Sequence, residues 1–492
     1  MPNIMKLDNL GAAAGTSQGG RTIKPASGNA ATSGSAQLVE ELIQAGMSAD
    51  QVISGTDLTE ELLRDEALTA TPQMPAYLLY PQSTSEVTRI LQLADEQVVP
   101  VTARGSGTGM CGACIAQPGG VTVSFQRMNQ IIEIDTENHI AVVQPGVTLR
   151  ELDEATAKVG LVYPIFPGEL SASLGGNIAT NAGGMRAIKY GVTRNQVLGL
   201  EVVLPGGKVV RTGGKFVKCS SGYDLTQLII GSEGTLGLVT EIILKLYPRP
   251  ASNATVLAPF STLDEITNAV PKIVTSGVNP LILEYIDILT MAATTDNVGL
   301  DLGIPPDVKD RALAYLLVVV EGNTSERVDE DIERLAGLLG DLGAMDIYVL
   351  PVGTAAKLID AREKAFWVAK QHGANDILDV VVPRASVPRY MQRVSEIATS
   401  TESLIAGCGH VGDGNVHLSV FQGNPDRLHE AMEAVLAAGM DLGGAVSAEH
   451  GIGREKKAYF NSLEDPLKIE LMRSIKAAFD PNGILNPGAI FD

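Results

Sequence analysis

The stretch PGELSASLGGNIATNAGGMRAIKYG, residues 167–191, constrains this chain more than any other part of it. It sets Gly175, Gly176, Gly183 and Gly184 among Asn177, Thr180 and Asn181. Residues this small let a backbone approach another surface closely, while the amides and hydroxyls supply hydrogen bonds. Such a wall suits a large polar cofactor better than a packed core. Two further segments repeat the chemistry. ARGSGTGMCG (103–112) follows a predicted strand, and IIGSEGTLGLVTEI (229–242) brings Gly231, Gly234 and Gly237. In the first, Gly107, Gly109 and Gly112 match the spacing of a dinucleotide fingerprint, but that motif must open a helix. ACIAQPGG follows instead and breaks any helix, so the loop reads as a turn whose N–H groups converge on an anion.

A chain of 492 residues is expected to hold more than one core. Residues 1–35, rich in Gly, Ala, Ser and Thr, read as a disordered tail. From 36 to 250 strands such as VVPVTARG, VTVSF and HIAVVQPG alternate with the helices SEVTRILQLADEQ and TLRELDEATAKVG, and the block closes at YPRP. From 251 to 450 the strands ATVLAPF, AYLLVVVEG and DIYVLPV flank helices, as in a second α+β domain. The segment 451–492 carries a last helix and the turn-rich PNGILNPGAIFD. A net charge of −20 excludes a nucleic-acid-binding surface, and no apolar run is long enough to span a membrane. Four scattered cysteines make no disulfide framework, and the N-terminus lacks a signal-peptide layout; both point to the cytoplasm.

The ordered set RGSGTG, PGELSASLGGNIATNAGG, YG, GSEGTLG and NPGAIF resembles the FAD-linked oxidases of the vanillyl-alcohol oxidase and p-cresol methylhydroxylase type, over about residues 40–492. The subgroup it resembles holds D-lactate dehydrogenase, the glycolate oxidase FAD subunit and D-2-hydroxyglutarate dehydrogenase. The resemblance implies an α+β fold with a two-subdomain FAD-binding domain over 36–250. An α+β cap, or substrate, domain over 251–450 would hold an antiparallel sheet and the metal site, and 451–492 would return to the FAD domain. The FAD contacts it implies are Arg104, Gly105, Ser106, Gly107, Thr108 and Gly109, then Pro167, Gly168, Gly175, Gly176, Asn177, Thr180, Asn181, Gly184 and Gly191. Glu233, Gly234, Val239 and Asn486 complete the set. Some relatives attach FAD covalently through a histidine in the first loop. Thr108 and Met110 stand there instead, so the FAD is expected to be non-covalent.

The chain has six histidines, and three of them fall in HVGDGNVH and SAEHGIG. Asp413-Gly414 is a strong two-residue hairpin signal. It places His410 directly opposite His417, with Cβ atoms about 4.5–5.5 Å apart, close enough to share one ion. A plain hairpin with two surface histidines is the alternative. Glu449 is the best candidate for a third ligand. Two histidines and a carboxylate suit zinc, iron or manganese. The resemblance favours zinc on His410, His417 and Glu449, and implies that His450 is the catalytic base.

Other residues stay open. Arg362, in IDAREKAFW, fits a substrate-carboxylate clamp or an ion pair with Glu363 or Asp360. Cys111 and Cys114 fit a redox pair or the loop's need for small residues, and Lys456 and Lys457 fit either the cofactor phosphate or solvent. His139, His372 and His429 sit in ordinary turn or helix contexts. Ser419 stands where one relative places a substrate-binding Asn, which weakens the 2-hydroxyglutarate reading.

The expectation is therefore FAD-dependent, metal-assisted oxidation of a D-2-hydroxy acid such as D-lactate or glycolate. Electrons would pass to a quinone, an electron-transfer flavoprotein or an iron–sulfur protein, and a homodimer is the expected assembly if there is one. The alternatives are a D-2-hydroxyglutarate dehydrogenase, the FAD subunit of an electron-transfer complex, a non-enzymatic flavin or metal module, and an ether-lipid synthase. The two-histidine hairpin speaks against the last.

Overall fold

The helix Ala31–Gln44 buries Leu38 and Leu42 completely, so the chain is ordered before the expected end of a tail at residue 35. The computed structural model describes residues 31–491, and the rest of that glycine- and alanine-rich stretch lies outside the described residues. The helix Thr84–Gln97 starts at Ser83, whose hydroxyl accepts the N–H of Glu86, and buries Val87, Ile90, Leu91, Leu93 and Ala94. Both helices pack on a four-stranded sheet ordered Val52–Ser54, Tyr77–Leu79, Val121–Ser124, Val101–Arg104. Its last three strands are parallel. Val121–Ser124 is buried at every position, as a strand covered on both faces must be. Ile484 and Leu485 return from the C-terminal segment to this core, and Leu485 bridges to Val101.

A second sheet is antiparallel, ordered Ile131–Asp135, Ile140–Val143, Leu238–Lys245, Val197–Leu204, Lys208–Gly213. Along Leu238–Lys245 buried and half-buried positions alternate strictly, the mark of one face on a core. The helix Leu174–Thr180, from the glycine-asparagine stretch, adds Leu174 and Ile178 to that core. The three glycine-rich segments meet between these two sheets.

The third sheet has seven antiparallel strands, ordered Tyr348–Leu350, Ser252–Phe260, Ala314–Gly322, Ile282–Asp287, Leu404–Gly409, Asn415–Phe421, Asp376–Val381. Period-two alternation divides its side chains. Val256, Ala258, Phe260, Leu283 and Tyr285 face one core with the helices Leu263–Thr275, Ser325–Asp341, Val387–Ser400 and Pro425–Asp441. Leu257, Ile286, Tyr315 and Cys408 face the other way, toward Ile288–Asn297 and Val352–Glu363. The architecture is thus a two-part FAD-type domain and a cap built on an antiparallel sheet. Among the described residues no helix is long and apolar enough to cross a membrane.

Candidate active site

Sheet register assembles the metal-type cluster. Ile286 pairs with Cys408, so the same ladder carried on two residues brings Glu284 to His410. Cys408 pairs with His417, and His417 pairs with Asp379 on the next strand. Side chains two residues apart share a face. Glu284, His410, His417 and Asp379 therefore form a row across four strands, on the face that meets the helix Val352–Glu363.

This register corrects the expected hairpin. His417 lies opposite Cys408, not His410, and the turn is wider than two residues, with the N–H groups of Asp413, Gly414 and Asn415 all turned to the His410 carbonyl. The slip is by two residues, so parity is kept and both rings stay on one face. Their centroids are 4.8 Å apart in an edge-to-face arrangement.

Both rings have a carboxylate on the Nδ1 side and turn Nε2 to Glu449. His410 Nδ1 is in hydrogen-bond contact with Glu284, and its Nε2 lies 3.1 Å from Glu449 Oε1. His417 Nδ1 lies 3.7 Å from Asp379 Oδ1, and its Nε2 lies 3.8 Å from Glu449 Oε1. The Glu284 carboxylate at His410 Nδ1 is the support that metal-binding histidines commonly have, while Asp379 lies beyond hydrogen-bond reach of His417 Nδ1. Ligand atoms of His410, His417 and Glu449 all lie within 4.8 Å of one another, so the donor set fits a divalent ion. A second trio, Asp379, His417 and His450, meets the same criterion. Burial disfavours a charged His410, yet the carboxylates of Glu284 and Glu449 hold its pKa well above the ordinary value. Burial and the charge of His410 push His417 well below it.

Behind Glu284 stands Arg362. Its Nη2 is 2.6 Å from Glu284 Oε2, and both side chains are buried. The guanidinium expected as a free clamp, or as a partner of Glu363 or Asp360, is instead given to a carboxylate on the neighbouring strand.

Asp379 organises the loop that carries Glu449 and His450. Its Oδ2 accepts the Ser447 hydroxyl at 2.9 Å and the N–H groups of Ala448, Glu449 and His450 at 3.0, 2.9 and 2.9 Å. Burial would raise this carboxyl, but the imidazoles of His450 and His417 and these N–H groups hold it well below the usual range. From the other domain, Glu233 accepts the N–H groups of Ile452 and Gly453, each at 2.7 Å. The loop is thus pinned by one buried carboxylate from the cap and one from the FAD-type domain. His450 stacks on His417 at 5.3 Å between centroids. Lys456 does not approach the cofactor region; it is buried against Asp376 at 2.7 Å.

Burial pushes the Glu233 carboxyl up to about 7. Folding then favours its protonated form. Its contribution to stability is complete below the unfolded pKa near 4.3 and is lost as pH rises through about 7. Urea unfolding across that window should show Glu233→Gln gaining on the native protein by roughly 3 kcal/mol between about pH 4.5 and 8. A pH-independent difference between the two proteins would refute this.

A cleft of about 1560 Å³, counting space open to solvent, runs from the three glycine-rich segments to Glu449 and His450. Arg104, Gly105, Ser106, Gly107, Thr108, Gly109, Pro167, Gly168, Gly175, Gly176, Asn177, Thr180, Glu233, Gly234 and Val239 line it. At Gly105 a Cβ would lie 2.2 Å from Ser173 Oγ, so only glycine permits the loop to close on Ser173. The N–H groups of Gly107, Thr108 and Gly109 have no acceptor among the described residues, which suits them to a pyrophosphate. No helix follows this loop.

Four expected contacts do not line the cleft. Asn181 is the left-handed cap of Leu174–Thr180 and accepts the N–H of Arg194. Gly184, at φ +136°, passes so close to the Phe166 carbonyl that a Cβ would sit 2.0 Å from its oxygen. Gly191 ends the short helix Ala187–Tyr190. Asn486 stands behind the cleft, donating to the carbonyls of Ala113 and Glu233 at 2.8 Å each. Arg104 lines the cleft, but its guanidinium turns to the carbonyls of Glu61 and Arg64. Cys111 and Cys114 are free thiols, and burial pushes Cys114 up to about 12. The cap contributes Glu363, Phe366 and Trp367 to the wall, none of which was anticipated.

Comparison with known proteins identifies the family and the fold. Residues 75–213 match the FAD binding domain family, and residues 249–490 match the FAD linked oxidases, C-terminal domain. The chain is 54% identical over 440 residues to an uncharacterized FAD-linked oxidoreductase of Mycobacterium tuberculosis, covering 89% of this chain and 96% of the relative. The chain belongs to the FAD-linked oxidases. This FAD-dependent oxidoreductase is also 38% identical to the glycolate oxidase subunit GlcD of Bacillus subtilis, over 86% of this chain and 91% of that one. It is 35% identical to a D-lactate dehydrogenase of Anaerostipes hadrus, over 89% and 94%. Its fold matches p-cresol methylhydroxylase with a TM-score of 0.77 at 20% identity, over 94% of this chain and 97% of that one.

Proposed function

We propose that this FAD-linked oxidase converts a D-2-hydroxy acid of the lactate or glycolate kind to the 2-oxo acid, using a divalent metal held by His410, His417 and Glu449. The observation that carries this reading is the meeting of the metal-type trio and His450 at the cleft, whose wall includes both Glu449 and His450. The named relatives support the substrate class, and two histidines with one carboxylate suit zinc. A divalent ion supplies Lewis-acid charge for the substrate oxygens when bound, and non-covalently bound FAD supplies the two-electron acceptor.

The chain's own residues do the rest. His450 takes the hydroxyl proton, a task suited to an imidazole. Its Nδ1 lies 3.9 Å from Asp379 Oδ2, which leaves Nε2 for the substrate. Glu284 orients the His410 ligand, and Arg362 balances the charge of Glu284. The electrons pass on to a separate acceptor, a quinone, an electron-transfer flavoprotein or an iron–sulfur protein, from an enzyme in the cytoplasm or held peripherally at the membrane by a partner.

Anaerobic mixing with a panel of D- and L-2-hydroxy acids, with metal analysis of the same sample, tests the reading. The expected result is flavin bleaching by D acids, about one equivalent of metal, and at least about 100-fold slower bleaching after chelation. Bleaching that survives complete metal removal would refute the metal's part, and a flavin that no 2-hydroxy acid bleaches would refute the reaction.

A further inference from the structure

The side of the cleft made by the cap carries Glu363, Phe366 and Trp367. Phe366 and Trp367 pack edge to face, 5.0 Å between centroids. Glu363 forms no hydrogen bond or ion pair among the described residues, and its Oε1 is fully buried without a partner. A buried oxygen without a partner beside a cleft calls for one from outside the described residues, water or ligand. Three of the cations nearby are held by other groups, while the fourth, Arg186, has a buried Nε without a hydrogen-bond partner. Lys370 pairs with Glu66 at 3.0 Å, Arg362 with Glu284, and Arg104 turns away to backbone carbonyls. Arg186 lies over the Phe166 ring at 5.5 Å, outside the residues lining the cleft. Burial pushes the Glu363 carboxyl up to about 8, against the attraction of Arg186 and Arg362. In either form it supplies no counter-charge for a second carboxylate, and in its ionised form it repels one.

We infer that Glu363 sets specificity for the side chain of the substrate, admitting 2-hydroxy acids with uncharged or aromatic tails and rejecting dicarboxylates. This rests on the proposed 2-hydroxy-acid chemistry for the position of the α-carboxylate and hydroxyl at the metal ligands. The tail then extends along the cap wall, where two rings provide apolar surface and a carboxyl stands in place of the cation a second carboxylate would need. A site rejects a ligand by placing like charge or an unpaired buried group against it.

Trp367 is the single tryptophan of the chain, so its emission reports ligand in the cleft whether or not turnover follows. Holoenzyme is titrated with D-lactate, D-phenyllactate and D-2-hydroxyglutarate under anaerobic conditions, following Trp emission for Kd and flavin bleaching for kcat and KM. The dicarboxylate is expected to bind at least about 30-fold more weakly than the better of the other two. In Glu363→Gln that ratio should shrink by about tenfold, through Kd and KM of the dicarboxylate more than through kcat. Equal binding of the dicarboxylate by the native protein would overturn the inference. So would a selectivity unchanged by Glu363→Gln, including the case where that variant shifts the flavin spectrum and thereby places Glu363 on the cofactor. Dicarboxylate binding that is lost in Arg186→Met would overturn it too. If the neutral acids bind selectively but bleach no flavin, the proposed reaction fails and the selectivity of the wall stands.

Discussion

Replacing His450 with asparagine is expected to leave FAD bound and to slow flavin reduction by substrate about 10³-fold, the usual worth of a positioned general base. Asparagine keeps the backbone N–H that donates to Asp379 Oδ2, so the loop from Ser447 to Gly453 should hold its place. It removes the imidazole that stacks on His417 and lines the cleft. The measurement is single-turnover bleaching in a stopped-flow instrument, with flavin and metal content determined on the same protein. The pH dependence should change with the rate, because the group that takes the proton is gone. A variant that reduces its flavin within about tenfold of the native rate would remove His450 from the chemistry.

The second large effect is expected at Glu284. This side chain is fully buried and touches two partners, the His410 imidazole and the Arg362 guanidinium. Glu284→Ala leaves a guanidinium that is 7% exposed without a counter-charge, at a cost of about 3–5 kcal/mol. It also releases His410 Nδ1, which should lower metal affinity about 10- to 100-fold. The double variant Glu284→Met with Arg362→Met separates the two. Removing both charges should restore much of the stability, while the metal affinity stays low because His410 still lacks its acceptor. Urea unfolding and metal titration read the two effects. Full recovery of metal affinity in the double variant would show that Glu284 acts through Arg362 alone and not on the imidazole.

Much of the cleft wall was legible in the sequence because it is written locally. Gly105 and the unpaired N–H groups of Gly107 to Gly109 follow from residue size and turn conformation within a few positions. The resemblance also implied Asn181, Gly184, Gly191 and Asn486, which do not line the cleft. They share the composition of the cofactor wall, but they cap a helix, pass a carbonyl or brace the loops from behind. Composition says that a backbone comes close to something; it does not say to what. The strand carrying Glu284 and the strand carrying Asp379 left a weak signal, an acidic residue inside the apolar runs LILEYID and ILDVVVP. A charge there is costly unless it is paired, which is the clue that could have found both.

The sequence by itself pointed to a pair of histidines in one hairpin and to a glycine-rich wall for a large polar cofactor, because each is encoded in short segments with their own turn chemistry, whereas FAD and the roles of Glu449 and His450 came from the resemblance to a family. The tertiary structure alone decided which residues stand around them. It set His417 opposite Cys408, brought Glu284 to His410 across 126 residues of chain, turned Arg362 to Glu284, and placed Glu363 in the cleft. Those pairings come from strand register and from the helices packed on the sheet. Register is selected by burying the whole of one face of the sheet at once, and no short stretch of sequence contains that information.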